Sequence, residues 1–249
     1  MTEVQREMES VVTDQSHCLD ELGVRHNTDK ASVFQSDKRG KRRPGHNYLK
    51  NYEFFLERYR RYPALRILEL GAGPEWNCGA SGRVWQDYFP NAEEIRLADI
   101  AEGARALEAE GLAVTVGDLR DTKVLNMLAK TSWDVIIDDA SHQWRDQVAA
   151  FNCLFRALRP KGVYIIEDLH TSFGSQRNRF GASFLLGPPP HRAIDAARYF
   201  QQLALLKLGS GAGHPDDDPE LEAEIRRQLD IDMISMITTI RGAVIVSRI

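Results

Sequence analysis

The chain has 249 residues, 43% hydrophobic and 27% charged, enough to bury a full core and read as one α/β domain with appendages. A net charge of -4 supplies no general basic face for phosphates, so nucleic acid is not an expected partner. Cys18, Cys78 and Cys153 are odd in number and lack CxxC spacing, and neither a leader pattern nor a run of about 18 apolar residues occurs; a disulfide framework, a zinc site, secretion and membrane spanning are not expected, and a cytoplasmic setting is.

Residues 1–25 are polar and helix-compatible, and residues 23–45 carry the turn formers Asn27, Asp29, Ser36, Gly40 and Pro44, which predicts a mobile leading loop. Its basic run, residues 38–43, reads as solvated, with a lid or anionic-substrate contact as the alternative. Over residues 48–61, Tyr48, Tyr52, Phe55, Leu56 and Tyr59 recur at spacings of three and four, the stripe of an amphipathic helix. Residues 1–60 are therefore expected to form a helical and loop cap, and residues 61–249 the main domain.

Strands are predicted at residues 66–70, 95–98, 114–116, 135–137 and 163–166, with helices around 103–110, 122–130 and 144–158 between them. This alternation predicts a Rossmann-like α/β fold, a mostly parallel sheet with right-handed crossovers. Beyond Gly174, the run Gly187-Pro188-Pro189-Pro190 breaks the chain, residues 191–208 read as a helix, and residues 209–219 as a glycine- and acid-rich loop. Residues 231–240 and 243–247, separated by Arg241-Gly242, predict a terminal antiparallel hairpin at the sheet edge.

Two apolar strands each run directly into acids: Val135-Ile136-Ile137 into Asp138-Asp139-Ala140-Ser141-His142, and Val163-Tyr164-Ile165-Ile166 into Glu167-Asp168. Ligand sites of open α/β sheets lie beyond the carboxyl ends of the strands, so both clusters are expected at one edge. Asp139, Glu167 and Asp168 would repel one another there unless protonated or bridged, and an all-oxygen set suits Mg²⁺ or another hard divalent ion. If a helical turn starts after Asp139, His142 lies beside that carboxylate. The competing reading makes Asp138 to Ser141 a helix-capping segment and Glu167-Asp168 a solvated strand end.

Gly71-Ala72-Gly73 follows the strand ending Glu69-Leu70, a turn in which glycine lets backbone approach a ligand, and Asp99 closes the next strand where a ribose would be bound. A dinucleotide fingerprint would place a third glycine at Trp76. An acid just before the turn disfavours phosphate and suits a cationic ligand, so S-adenosylmethionine fits better than NAD.

Residues 67–73, the tract 79–90 with Trp85 and Asp87-Tyr88-Phe89-Pro90, Gly117-Asp118, residues 138–142 and 154–169, with Thr28-Asp29-Lys30 and His46-x-Tyr48, together resemble the class I O-methyltransferases typified by mycinamicin VI 2''-O-methyltransferase and the rhamnosyl tetracenomycin 2'-O-methyltransferases. The resemblance implies S-adenosylmethionine as donor, Mg²⁺ or another divalent cation, and a small-molecule acceptor, usually a sugar hydroxyl on a natural product. It would place Glu69, Gly71, Gly73 and Ser81 at the methionine end, Asp99 and Ile100 at the ribose, and Asp118 and Leu119 at the adenine, with Asp138 completing the cofactor set. Asp139, Glu167 and Asp168 would hold the metal, and His142 would deprotonate the acceptor. The acid spacing is also similar to that of catechol-type methyltransferases. The chain departs from the pattern at Leu119, where the family commonly has Gln, and at Ala140, where it has Gly, and no counterpart of the macrolide enzyme's large N-terminal auxiliary domain is expected, so the acceptor is not inherited. A metal-free N- or C-methyltransferase and a non-catalytic S-adenosylmethionine-binding partner protein are the alternatives; a homo-oligomer is compatible with all three.

Overall fold

The computed structural model describes residues 18–36, 40–181, 184–186, 192–209 and 216–249. The expectations for residues 1–17, for Lys38 and Arg39 of the basic run, for the Gly-Pro-Pro-Pro break and for most of the 209–219 loop lie outside the described residues.

In chain order, helix α1 (Leu19–His26), strands β1 (Val33–Gln35) and β2 (Arg42–Pro44) and helix α2 (Leu49–Leu56) form the cap. The main domain begins with β3 (Leu65–Leu70), α3 (Ala80–Tyr88), β4 (Ala92–Asp99), β5 (Ala113–Val116), α4 (Thr122–Leu128), β6 (Trp133–Asp138), α5 (Trp144–Leu154) and β7 (Leu158–Ile166). It continues through α6 (Arg177–Phe180), β8 (Phe184–Leu186), β9 (Arg192–Ile194), α7 (Ala196–Lys207), α8 (Pro219–Gln228), β10 (Ile234–Ile240) and β11 (Ala243–Arg248).

Seven strands make one sheet in the order β10-β11-β7-β6-β3-β4-β5. Strands β3 to β7 pair in parallel, whereas β11 runs antiparallel to β7 and β10 antiparallel to β11. The terminal hairpin is thus present, with its second strand inserted between β7 and its first. The order reverses at β3 and β6, and the crevice at such a switch point is where this architecture binds ligands.

Strand periodicity of two divides the core into two layers. Leu68, Ile136, Tyr164 and Val246 face α4, α5, α7 and α8. Ile67, Val135, Ile165 and Ile245 face α1, α2 and α3. Both faces are covered, which is why these strands read as continuous apolar runs instead of alternating ones.

Three local expectations need correction. Residues 102–110 form a 3₁₀ run, not an α-helix; its buried residues, Ala104 and Leu107, are three apart and so fall on one line of a three-residue turn. The 191–208 segment is a short strand followed by α7, because Asp195 accepts a hydrogen bond from Arg198 N at 2.8 Å and starts the helix there. The leading segment is held, not mobile: within it His46 N donates to Asp29 O at 2.7 Å, Tyr48 N to Lys30 O at 2.8 Å, and Asp20 accepts from Ser32 N and Oγ, both at 2.7 Å. It is docked to the domain by the packing of Leu19, Leu22 and Leu49 in the core layer of Ile67 and Ile137 and by Lys30 Nζ, which donates to Glu167 Oε2 at 2.8 Å.

Candidate active site at the carboxyl edge of the sheet

Register places the acids side by side. Leu70 of β3 pairs with Asp138 of β6, and Asp138 with Ile166 of β7, so the three strands end level and the residues after them share one edge. The ladder continues past the strand ends, with Asp139 N donating to Leu70 O at 2.9 Å and Glu167 N to Asp138 O at 3.0 Å. A cavity of about 660 Å³ opens there, lined by the 71–74 turn, Asp99, Ile100, Asp118, residues 138–143, Glu167 and Asp168. That volume suits a cofactor with an acceptor beside it.

The solvated-end reading of Glu167-Asp168 fails, and of the capping segment only Ser141 serves the helix start, accepting from Gln143 N at 3.2 Å and donating to Asp146 Oδ2 at 2.8 Å. Helix α5 is capped by Gln143 without a side-chain hydrogen bond, and Glu167 and Asp168 are 1% and 8% exposed. Asp139, His142 and Asp168 each present one ligand atom, all within 4.8 Å of one another. His142 reaches this point from a left-handed residue, φ 55°, not from the helical turn the sequence suggests, and its Nε2 stands 3.4 Å from Asp168 Oδ2.

Asp168 is the hub of the outer half. Its Oδ1 accepts from Tyr48 OH at 2.7 Å and pairs with His46 Nδ1 at 3.0 Å, while His170 Nδ1 lies 3.7 Å away. Burial alone would raise its carboxyl, but the His46 hydrogen bond, the charges of His142 and His46 and the Tyr48 hydroxyl outweigh it and hold Asp168 below the ordinary carboxylate range. His46 is correspondingly raised, chiefly by that hydrogen bond.

The inner half contains a residue to which the sequence gave no role. Lys30, 2% exposed, hydrogen-bonds Asp139 Oδ2 and Glu167 Oε2, the latter at 2.8 Å, and lies 3.4 Å from Glu69 Oε1. Burial would discharge this ammonium, yet the three carboxylates outweigh it and raise Lys30 well above its usual value. Burial raises Glu69, Asp139 and Glu167 despite that ammonium; three carboxylates share one positive charge, so either a proton is retained among them or a further cation is needed for all three to ionise. Glu167 therefore spends one oxygen on Lys30. Its other oxygen, Oε1, is buried without a hydrogen-bond partner among the described residues, with the buried Tyr52 hydroxyl close to the same carboxylate.

The residues expected around the donor are brought together, but several are already engaged. Glu69 Oε2 accepts from Ser81 Oγ and Trp85 Nε1, both at 2.8 Å; with Lys30 beside Oε1, Glu69 is compensated internally and is not a bare acid awaiting a cationic ligand. Asp99 shapes the glycine turn, accepting from Ala72 N at 2.8 Å and Ala101 N at 2.7 Å, and lines the cavity. Asp118 is paired with Arg120 at 2.6 Å and pushed down to about 2 by that contact, so an adenine would meet an acid already in use. Ile100, 64% exposed at the cavity lip, offers an apolar face, and Leu119 lines the same wall. Gly71, at φ 95°, passes so close to β6 that a Cβ would lie 2.3 Å from Asp139 O. Asp138 is buried and pushed up to about 7 by burial.

His46, Tyr48 and Lys30 are what residue-level reading missed. Tyr48 was assigned only to a helix stripe, and nothing in a turn-rich run marks a lysine as buried; the sole signal was the position of these residues in the family-like motifs Thr28-Asp29-Lys30 and His46-x-Tyr48.

Comparison with known proteins agrees with this geometry. No family model matches the chain. Among curated proteins it is similar to demethylmacrocin O-methyltransferase of Streptomyces fradiae, 35% identical over 134 residues, covering 51% of this chain and 33% of that protein. Mycinamicin VI 2''-O-methyltransferase of Micromonospora griseorubida is 33% identical over 134 residues, with the same shares. The chain thus spans about a third of the length of these curated relatives. Among solved structures, MycE methyltransferase from the mycinamycin biosynthetic pathway, in complex with Mg and SAH, superposes with a TM-score of 0.70 at 24% identity, over 98% of this chain and 57% of that one. The fold is that of a Rossmann-like methyltransferase. The resemblance read from the motifs is therefore matched by O-methyltransferases in sequence and by MycE in three dimensions.

Proposed function

We propose that the chain is an S-adenosylmethionine-dependent, divalent-metal-dependent O-methyltransferase acting on a hydroxyl of a small molecule, with a sugar or natural-product hydroxyl as the acceptor class. The observation that carries this reading is the convergence of Asp139, His142 and Asp168 on one point at the lip of a cavity whose other wall is the Gly71-Ala72-Gly73 turn. The names of the relatives support it, since they are O-methyltransferases, and MycE was obtained with Mg and SAH. No helix among the described residues is long and apolar enough to cross a membrane; the setting we infer is cytoplasmic.

The donor set fits a hard divalent ion: Asp139 and Asp168 would supply oxygens at one point, with Glu167 at the same strand edge, and His142 stands beside them with its nitrogen left to act as a base. Bound, S-adenosylmethionine supplies the methyl group and the ion lowers the pKa of the acceptor hydroxyl. The chain's own residues do the rest. His142 takes the hydroxyl proton, and at Nε2 that proton sits against Asp168 Oδ2, which stabilises the imidazolium. His46 and Tyr48 fix Asp168 from the opposite side, so the base is aimed before substrate arrives. The glycine turn and Ile100 would seat the donor, and the cavity holds acceptor oxygen and methyl group in line, which supplies much of the rate of a displacement.

Calorimetric titration with S-adenosylmethionine, with and without Mg²⁺ and against NAD, tests the proposal. Binding of S-adenosylmethionine alone, and chelator-sensitive methylation in a panel of hydroxylated acceptors, is expected. Chelator-insensitive transfer to an amine or carbon would replace it with the metal-free reading, binding without turnover on any acceptor with the non-catalytic one, and binding of NAD would overturn all three.

A further inference from the structure

Asp139 faces two cation positions. On the outer side it joins His142 and Asp168. On the inner side its Oδ2 accepts from Lys30 Nζ, which Glu167 and Glu69 also surround. An ammonium has three donors and one charge, and here it is met by oxygens of three carboxylates, an environment that would serve a hard metal ion equally well.

The lysine is not a surface group folded inward. Its backbone carbonyl accepts from Tyr48 N at 2.8 Å and Leu49 N at 3.3 Å, so the cap fixes its starting point, and its Nζ lies at the carboxyl ends of β3, β6 and β7. The inner position is closed to water: Glu69 and Glu167 are 0% and 1% exposed, and Lys30 Nζ is the cation between them, 3.4 Å from Glu69 Oε1 and 2.8 Å from Glu167 Oε2.

We propose that Lys30 is a built-in second cation, filling the position between Glu69, Asp139 and Glu167 that a second divalent ion would otherwise take. The outer position at Asp139 and Asp168, beside His142, then holds one exchangeable ion. Lys30 is in this sense a positioning residue: by tying Asp139 Oδ2 and Glu167 Oε2 inward it leaves the remaining oxygens to be presented outward. The inference rests on the metal-dependent reading above.

Counting Mn²⁺ by calorimetry and electron paramagnetic resonance on the full chain tests it. The wild type and Lys30→Arg are expected to bind one ion each. Lys30→Met is expected to bind two, and its Tm to rise with Mn²⁺ well beyond the rise in the wild type, because the metal replaces a missing structural charge; a purely packing role would leave the stoichiometry at one. If Lys30→Met does not fold, Lys30→Gln, which removes the charge and keeps all three carboxylates and a polar side chain, is counted instead. One ion in that variant, or in a folded Lys30→Met with no Mn²⁺-dependent gain in Tm, overturns the inference, as do two ions in the wild type. A wild type that binds none overturns the metal-dependent reading itself, so the two failures are distinguishable.

Discussion

Asp168 adopts φ 57°, a left-handed conformation that non-glycine residues take at a cost, and that conformation turns its carboxylate into the space among His46, Tyr48 and His142. Backbone strain at this position is consistent with a side chain placed for chemistry. If His142 is the base, His142→Ala lowers kcat by at least about 100-fold, within the range for removal of a general base, while S-adenosylmethionine affinity in calorimetry stays within about twofold of wild type. Asp138 gives a pH prediction. Burial moves its carboxyl from the ordinary 3.8 up to about 7, so its contribution to stability is fully present below 3.8 and is lost as pH rises to about 7. Complete loss is on the order of 4 kcal/mol. Asp138→Asn is therefore expected to gain in Tm over wild type progressively between pH 4 and pH 7, with no further gain above; a difference independent of pH would show that burial does not govern this group. At this scale the acids and His142 were legible because strand ends bring acids to one edge, whereas Lys30 was not, because its partners lie 109 and 137 residues away.

The glycine turn between β3 and α3 separates two effects that sequence alone cannot. Gly71 and Gly73 both have positive φ, 95° and 85°, but a Cβ at Gly71 would meet Asp139 O at 2.3 Å, and at Gly73 only Asn77 O at 3.5 Å. Gly73→Ala should cost about 1–2 kcal/mol, the left-handed penalty alone, a fall of several degrees in Tm. Gly71→Ala must in addition push β3 from β6, and is expected to lose more than twice as much and to abolish S-adenosylmethionine binding by calorimetry. Equal effects would show that close approach of backbone is not what this turn requires. Elements were legible where periodicity was strong: each sheet strand lies within a few residues of its expectation, since β-branched runs covered on both faces leave a clear signature. The 3₁₀ run and the cap at Asp195 were not, because both depend on single contacts instead of a repeating pattern.

For the whole molecule, the expected division at residue 60 marks a change of pattern but not an independent unit. Leu19, Leu22, Leu49 and Tyr52 of the cap belong to the same core layer as Ile67 and Ile137 of the sheet, and Lys30 supplies the charge that Glu69 and Glu167 lack. A fragment of residues 61–249 would expose that apolar layer and leave buried carboxylates without their counter-ion, so it is expected to give no cooperative thermal transition by circular dichroism; a sharp transition near that of the full chain would show that the cap is dispensable for folding. Fold class was legible in the alternation of strands and helices, and the interlock of cap and sheet was not, because no local pattern records a contact across more than a hundred residues.

Lys30 is separated from Asp139 by 109 residues and from Glu167 by 137. During synthesis it leaves the ribosome long before either acid, and contacts of such separation form late because the intervening chain must first be ordered. On the metal-dependent reading proposed above, competence to hold a divalent ion arises only once residue 168 has been made: a nascent polypeptide halted before residue 167 contains Lys30, Asp139 and His142 but has neither Glu167 nor Asp168 to complete the pit.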